Sequence, residues 1–207
     1  MNHPVFLVKN DVSIIDPLID IHNKLSYENK WEMRQRISGS DTNTLRQSHG
    51  LQGRDIADLT ISKIPMKYYE QIFNFIPEEI LSAGRPRTMT FFVSISGREI
   101  SPHVDRLRRT ALNIYLSNVN SKTVFYHELK PVMSSELVKY DNREKPGRQS
   151  WYPNENELIV DHVYTPHRGD IAILNVSKPH SVKDIKSSVP RIMLSIDLPK
   201  PFCEYIM

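Results

Sequence analysis

Residues 88–116 read TMTFFVSISGREISPHVDRLRRTALNIYL, and this stretch decides the fold. β-Branched and aromatic residues alternate with polar ones in three short runs, Thr88 to Ile95, Ile100 to Asp105 and Thr110 to Leu116. Such alternation over five to eight residues predicts strands. The four residues Ser96-Gly97-Arg98-Glu99 are typical of a tight turn, so we expect the first two strands to form a hairpin.

The same alternation continues toward the end of the chain. Five further strands are predicted, at Thr123–Glu128, Leu158–Val163, Ile171–Leu174, His180–Asp184 and Arg191–Leu198. Eight short strands separated by Gly, Pro and Asn suit a double-stranded β-helix, the jelly roll of cupin-like proteins. The sequence therefore predicts a mainly β protein with flanking helices.

The first 85 residues have a different, helical pattern. Asp16-Pro17 supplies a cap and a first helical residue, and Leu18, Ile21 and Leu25 follow at helical spacing. A second helical region runs from Pro65 to Gly84, and Trp31 to Arg36 is a possible strand. Because neither part has enough apolar surface to form a core alone, we expect the helices to pack on one sheet. This makes one domain over 1–207, with a mixed part at 1–85 and the jelly-roll core at 86–200.

Composition excludes several classes of protein. The 207 residues are 39% hydrophobic and 25% charged, which is a globular balance. No apolar run reaches the roughly 18 to 20 residues that span a bilayer, and no signal peptide is recognisable, so we expect a cytoplasmic protein without a membrane partner. The net charge of +3, without an extended basic face, argues against nucleic acid as partner. The oligomeric state is left open.

His103 and Asp105 are the first candidate functional residues. Residues two apart on a strand project to the same side, so this imidazole and carboxylate lie next to each other. His180, at the start of a later strand, would complete a face of two histidines and one carboxylate. That face leaves half of an octahedral metal open and is typical of non-haem Fe(II) oxygenases. Taken alone, the His-x-Asp pair is equally compatible with ordinary hydrogen bonds to neighbouring residues.

Arg191 begins an apolar strand eleven residues after His180. A buried arginine is costly unless an anion accompanies it, and its planar fork matches a carboxylate. Two partners are open at this point: the carboxylate of a bound small molecule, or an internal acid such as Asp170 or Asp197.

Five motifs together resemble a known family. They are GREISPHVD at 97–105, LNIYL at 112–116, GDI at 169–171, KPHSV at 178–182 and RIMLSID at 191–197. The set is similar to 2-oxoglutarate/Fe(II)-dependent dioxygenases, most of all the aspartyl/asparaginyl β-hydroxylase-like branch and uncharacterised phage or bacterial branches. The resemblance extends over residues 88 to 198, about half of the chain.

The resemblance implies a cofactor, a cosubstrate and a reaction. His103, Asp105 and His180 would bind Fe(II), and Arg191 would pair with the distal carboxylate of 2-oxoglutarate. With O2, such an enzyme hydroxylates an amino-acid or peptidyl side chain or a related small molecule and releases succinate and CO2. Two departures stand out. Several family members have a serine two residues after the arginine, where this chain has Met193, and the aspartyl β-hydroxylases lack a carboxylate ligand.

Further residues are candidates for contact with the bound molecules. Asn113, Tyr115 and Ser195 are candidates for the cosubstrate, with ordinary polar strand positions as the alternative for the first two. Arg108, Arg109 and Trp151 are candidates for the substrate, although the arginines equally suit a solvated basic turn. Trp151 lies in an irregular segment, Lys139 to Glu157, of the length typical of lids or of disordered loops. A non-catalytic cupin-like binding or regulatory module is the alternative function.

Overall fold

Strands dominate the computed structural model, which describes residues 3–27, 59–94, 100–105, 108–117, 120–129, 138–139, 149–152, 155–183 and 191–206. The strands in these ranges are β1 Val5–Asn10, β2 Leu59–Lys63, β3 Thr88–Ser94, β4 Ile100–Asp105, β5 Thr110–Tyr115, β6 Lys122–Glu128, β7 Val138–Lys139, β8 Gln149–Trp151, β9 Leu158–Tyr164, β10 Asp170–Asn175, β11 His180–Lys183 and β12 Arg191–Leu198. The α-helices are α1 Ile15–Tyr27, α2 Tyr69–Phe73 and α3 Glu78–Ser82. Short 3-10 helices are found at Val12–Ile14, Met66–Tyr68, Glu155–Glu157 and Phe202–Glu204.

Two antiparallel sheets of six strands each form the body of the protein. The first has the order β1-β10-β5-β12-β3-β2 and the second the order β7-β8-β4-β11-β6-β9. From β3 to β6, and again from β9 to β12, each strand lies in the opposite sheet to the strand before it. This alternation is the topology of a double-stranded β-helix, so the predicted jelly roll is confirmed. All eight predicted strands are present. They make the four central strands of the first sheet and, in the second sheet, β4, β11, β6 and the edge strand β9.

The predicted hairpin of the first two of these strands is wrong. β3 pairs with β12 and β2 in the first sheet, whereas β4 pairs with β11 and β8 in the second. A turn signal marks a reversal of the chain but does not say which sheet the next strand joins. The turn residues 95–99 themselves lie outside the described residues.

Three of the shorter strands, β2, β7 and β8, were not predicted. β2 extends the first sheet beyond β3, and β7 and β8 extend the second sheet beyond β4. β8 lies within the segment Lys139 to Glu157, whose predicted irregular structure is therefore wrong at residues 149–151. β7 and β8 have two and three residues, which is too few to show an alternation, whereas β2 is a five-residue strand in which Leu59 and Ile61 alternate with polar residues. Residues 140–148 of the predicted lid, and the possible strand at Trp31 to Arg36, lie outside the described residues.

The helices pack on the outer face of the first sheet, as predicted. Leu18, Ile21 and Leu25 of α1 are at most 4% exposed and share one apolar cluster with sheet residues such as Leu112 and Leu194. This helix-to-sheet layer contains most of the large buried side chains. No helix in the described ranges is long and apolar enough to cross a membrane.

The first helix begins earlier than predicted. Asp11 caps a 3-10 turn, where its side chain accepts a hydrogen bond of 3.1 Å from the Ser13 amide, and α1 continues from Ile15. Asp16 and Pro17 therefore lie inside the first turn of the helix. Proline is tolerated there because the amides of the first turn have no partner within the helix.

The space between the two sheets is divided into an apolar and a polar half. The apolar cluster contains Ala111, Tyr115, Phe125, Ala172, Leu174, Val176 and Met193. The buried polar and charged residues on β4, β5, β6, β11 and β12 are His103, Asp105, Asn113, Thr123, His180, Arg191 and Ser195. Burying polar side chains costs free energy unless they form hydrogen bonds or pair with a charge or a metal. Their concentration here locates the candidate site.

Candidate metal centre

The register of two neighbouring strands brings the histidines together. β4 and β11 are antiparallel, and His103 lies directly opposite His180. The ring centroids are 4.3 Å apart. Asp105 follows two residues after His103 and projects to the same face of the sheet.

His103, Asp105 and His180 form a compact, buried set of donors. One potential ligand atom from each lies within 4.8 Å of the others, and His103 Nε2 is 3.9 Å from Asp105 Oδ1. The three residues are 4%, 7% and 6% exposed. The structure thus brings together the three residues that the sequence predicts as metal ligands, at a spacing that a single ion fits.

Both imidazoles are oriented by the same local contact. His103 Nδ1 lies 2.9 Å from the carbonyl oxygen of Ser101, and His180 Nδ1 lies 2.9 Å from that of Lys178. A carbonyl only accepts hydrogen bonds, so Nδ1 carries the proton in each neutral ring and Nε2 carries the lone pair. Metal-binding histidines commonly donate their second ring N–H in this way.

The protonation states also favour a cation. Burial lowers the pKa of His180 to about 3 and lowers the pKa of His103, so both imidazoles are neutral near pH 7. Burial opposes ionisation of Asp105 and is the largest single influence, but Arg108, His180 and His103 together outweigh it, and the pKa of this carboxyl lies below its usual value. Neutral imidazole and ionised carboxylate are the forms that bind a metal.

Asp105 is tied to the opposite sheet through a chain of hydrogen bonds. Arg108 donates to Asp105 Oδ2 from Nε at 2.9 Å and from Nη2 at 2.7 Å. Its Nη1 donates to Ser195 Oγ at 2.7 Å, and Ser195 in turn donates to Asn113 Oδ1 at 2.7 Å. This role of Arg108 was missed from the sequence, because it depends on the path of the chain after β4 rather than on a periodic pattern.

Arg191 is a buried cation without a carboxylate partner in the described part of the chain. It is 4% exposed, and burial lowers its pKa. Neither Asp170 nor Asp197 lies within 4.0 Å of its guanidinium, so the internal ion pair considered above is not found. The Asp170 carboxylate instead accepts hydrogen bonds from the Asn10 and Tyr164 side chains and from the His167 amide.

Two polar atoms near Arg191 lack hydrogen-bond partners among the residues with described positions. They are Arg191 Nε and Tyr115 Oη, and both are inaccessible to solvent. The guanidinium carbon of Arg191 lies 5.6 Å from the centroid of the Tyr115 ring. Burial raises the pKa of Tyr115, so its hydroxyl stays protonated and can donate. Buried polar groups are nearly always satisfied, so these two indicate a place for a bound acceptor or water.

The remaining candidates occupy different positions. Ser195 and Asn113 bond to each other within the polar half of the interior, and Arg109 is exposed to solvent. Trp151 lies opposite His103 in the register of β8 and β4, which places its backbone next to the candidate metal centre. Its proposed contact with substrate stays a prediction.

In comparisons with known proteins, this chain is similar to solved structures in its fold. No known family matches the chain, and no curated protein matches it. Among solved structures, it is similar to the non-heme alpha ketoglutarate dependent carbocyclase SnoK from nogalamycin biosynthesis, with 10% identity, a TM-score of 0.58 and coverage of 93% of this chain and 77% of SnoK. It is also similar to the epimerase SnoN in complex with Fe3+, alpha ketoglutarate and nogalamycin RO, with 14% identity, a TM-score of 0.57 and the same coverages. The resemblance to the aspartyl/asparaginyl branch gains no support from these structures and stays a prediction.

Proposed function

We propose that this protein is an Fe(II)- and 2-oxoglutarate-dependent oxygenase. The observation that carries the proposal is the combination of a buried His-Asp-His set with a buried arginine that has no carboxylate partner in the described chain. The first suits a divalent metal and the second suits an anionic molecule bound beside it. Both structural neighbours described above are non-heme enzymes dependent on alpha ketoglutarate or crystallised with it.

The three donors fit ferrous iron. Two imidazole nitrogens and one carboxylate oxygen are the ligands typical of non-haem Fe(II) oxygenases, which need open positions for other molecules. His103 and His180 would each offer Nε2, since Nδ1 donates to a backbone carbonyl. Asp105 would offer the negative charge that partly balances the ion.

Arg191 and Tyr115 fit the cosubstrate. The guanidinium would pair with the distal carboxylate of 2-oxoglutarate, and the Tyr115 hydroxyl would donate a hydrogen bond to it. This contact satisfies the two buried polar atoms that lack partners in the described protein. Ser195 and Asn113 are less suited to direct contact with the cosubstrate, because their hydrogen bonds to each other and to Arg108 already engage them.

The protein's contribution to the reaction is to bind and to orient. Bound Fe(II), with 2-oxoglutarate and O2, supplies the oxidising power that attacks a C–H bond and releases succinate and CO2. His103, Asp105 and His180 would hold the ion between the two sheets, and Arg191 would fix the cosubstrate by its charge. The apolar half of the interior, around Phe125, keeps bulk water away from the reaction.

The substrate we propose is an amino-acid or peptidyl side chain, or a related small molecule, that becomes hydroxylated. The modest net charge disfavours nucleic acid, and we place the reaction in the cytoplasm. Arg109 and Trp151 are the proposed substrate contacts, because Arg109 is exposed and follows Arg108 in the sequence, and Trp151 lies opposite His103 in the strand register.

Succinate formation tests the proposal. Purified protein with Fe(II), 2-oxoglutarate and O2 is screened against amino acids, peptides and small metabolites. We expect succinate to rise with at least one substrate, and the rise to disappear in His103→Ala. His127→Ala is the matched control, since His127 is 56% exposed in its side chain and pairs with Asp161 at 2.8 Å, outside the site. Tight binding of Fe(II) and 2-oxoglutarate without succinate from any substrate would instead identify a non-catalytic binding module.

A further inference from the structure

Arg108 contacts Asp105 in an uneven way. Its Nε and Nη2 both donate to Oδ2, whereas Oδ1 is the oxygen that faces His103 Nε2. An arginine paired with a carboxylate often bonds one nitrogen to each oxygen, which would engage both. Here the guanidinium holds one oxygen and leaves the other turned toward the candidate metal ligands.

We propose that Arg108 is a positioning residue that restricts Asp105 to donating a single oxygen, Oδ1, to the metal. This inference rests on the proposed function. Aspartate binds metals through one oxygen or through both. If Asp105 took two positions around the ion, fewer would remain for a chelating cosubstrate and for O2. By holding Oδ2, Arg108 preserves the open positions that the proposed reaction requires.

The second anchor of Arg108 makes this restriction firm. Nη1 donates a hydrogen bond to Ser195 Oγ at 2.7 Å, and the Ser195 hydroxyl in turn donates a hydrogen bond to Asn113 Oδ1. The oxygen of Ser195 therefore presents a lone pair to Arg108. The guanidinium carbon also lies 5.9 Å from the centroid of the Phe92 ring. Although the Arg108 side chain is 24% exposed, it is fixed to β4 at one end and to β12 at the other.

The same geometry argues against the predicted role of Arg108 in binding substrate. A guanidinium has five N–H donors, and three of those on Arg108 already bond to Asp105 and Ser195. A substrate anion would have to compete with a buried carboxylate that is already in place. Arg109, which is exposed, retains the proposed substrate role.

Cobalt substitution tests the inference without relying on activity. Co(II) absorbs visible light, and its spectrum reports coordination number and geometry. The complete protein, freed of metal, is titrated with Co(II) and then with 2-oxoglutarate, as the wild type and as Arg108→Met, Arg108→Lys and Arg109→Met. We expect Arg108→Met to change the position and intensity of the Co(II) bands and to weaken 2-oxoglutarate binding by about tenfold or more, the usual scale for losing a residue that supports a metal ligand.

Two variants sharpen the comparison. Arg108→Lys retains the charge but not the fork, so we expect a smaller change in the same direction. Arg109→Met removes the same charge from the neighbouring position, and its Co(II) spectrum should match that of the wild type. If Arg108→Met does not fold, Arg108→Lys decides the question, together with Ser195→Ala, which removes only the second anchor and should also shift the bands.

The outcomes separate this inference from the proposed function. A wild-type protein that binds no Co(II), or whose Co(II) bands persist in His103→Ala, overturns the proposed metal centre itself. A wild-type spectrum that depends on His103 but is unchanged in the Arg108 variants, with 2-oxoglutarate affinity within twofold of the wild type, overturns the role of Arg108 and leaves the metal centre standing.

Discussion

Each histidine of the candidate metal centre follows a proline. The tripeptides Ser101-Pro102-His103 and Lys178-Pro179-His180 both place the imidazole Nδ1 2.9 Å from the carbonyl of the residue before proline. Proline fixes its own φ angle and restricts the residue before it, so the carbonyl and the imidazole are held in a narrow range of relative positions. The repeated X-Pro-His pattern is a signal in the sequence that identifies how both rings are oriented.

Arg191 gives a prediction at the scale of the residue. In Arg191→Met a buried cation without a carboxylate partner is replaced by an apolar chain, so we expect the ligand-free protein to be at least as stable as the wild type in chemical denaturation. The same variant should bind 2-oxoglutarate more weakly by about 2 kcal/mol or more, roughly 30-fold, measured by calorimetry with the metal bound. A structural role for Arg191 would give the reverse pattern, with lower stability and unchanged affinity.

At the scale of the element, β4 is the strand on which the site depends. It carries His103 and Asp105, pairs with β11 on one side, and pairs with β8 on the other. The Tyr152 amide, next to β8, donates to the Pro102 carbonyl at 3.0 Å, and the Tyr152 hydroxyl donates to the Glu128 carboxylate at the end of β6. The short strand β8 is thus held in place at a point adjacent to the first histidine.

Tyr152→Phe tests this fastening. The change keeps the buried ring and removes one hydrogen bond to a carboxylate, so we expect a loss of about 1 kcal/mol in the free energy of unfolding. Because Glu128 is exposed, water can replace the lost donor, which keeps the loss small. Hydrogen exchange should also become faster at residues 149–152. An unchanged denaturation midpoint together with unchanged exchange would show that this bond does not secure β8.

The strands differ in how well the sequence predicts them. The eight strands β3 to β6 and β9 to β12 were predicted to within about two residues at each end, because a face toward a core enforces alternation. β7 and β8 were not predicted, since two and three residues are too few to show an alternation. β2 was also missed, although its Leu59 and Ile61 alternate with polar residues. Sheet membership is also absent from local sequence, which is why β3 and β4 were wrongly placed in one hairpin.

The residues of the candidate site were also predicted only in part. The spacing of residue types and a family resemblance predicted four residues of the site, His103, Asp105, His180 and Arg191. The structure brings His103, Asp105 and His180 together. The contacts of Arg108 with Asp105 and Ser195 join the segment after β4 to one strand of each sheet, and Ser195 lies 87 residues further along the chain. No periodicity encodes such a contact, so it emerges from the tertiary structure alone.

At the scale of the whole molecule, stability and function occupy different layers. The large apolar cluster lies between the helices and the outer face of the first sheet. The interior between the sheets contains a smaller apolar cluster and the buried polar residues of the site. A protein that buries so many polar groups between its sheets needs a second core elsewhere, and the helical layer provides it.

Leu18→Ala tests this separation. Leu18 is 0% exposed, so its truncation leaves a cavity in the helical layer and should cost about 2–5 kcal/mol in the free energy of unfolding. Val12→Ala, at a residue 62% exposed, should change stability by about 0.5 kcal/mol or less. Both variants, studied at a temperature where they are folded, should bind metal with wild-type affinity. A weaker metal affinity in Leu18→Ala alone would mean that the helical layer also shapes the site.

The most direct test of the central claim is an anaerobic titration of the metal-free protein with Fe(II) and then with 2-oxoglutarate. We expect a visible charge-transfer absorption that reaches its maximum at one Fe(II) and one 2-oxoglutarate per chain, disappears in His103→Ala and persists in His127→Ala. The absence of this absorption in the wild type, or its survival in His103→Ala, would contradict the assignment of His103, Asp105 and His180 as the iron site.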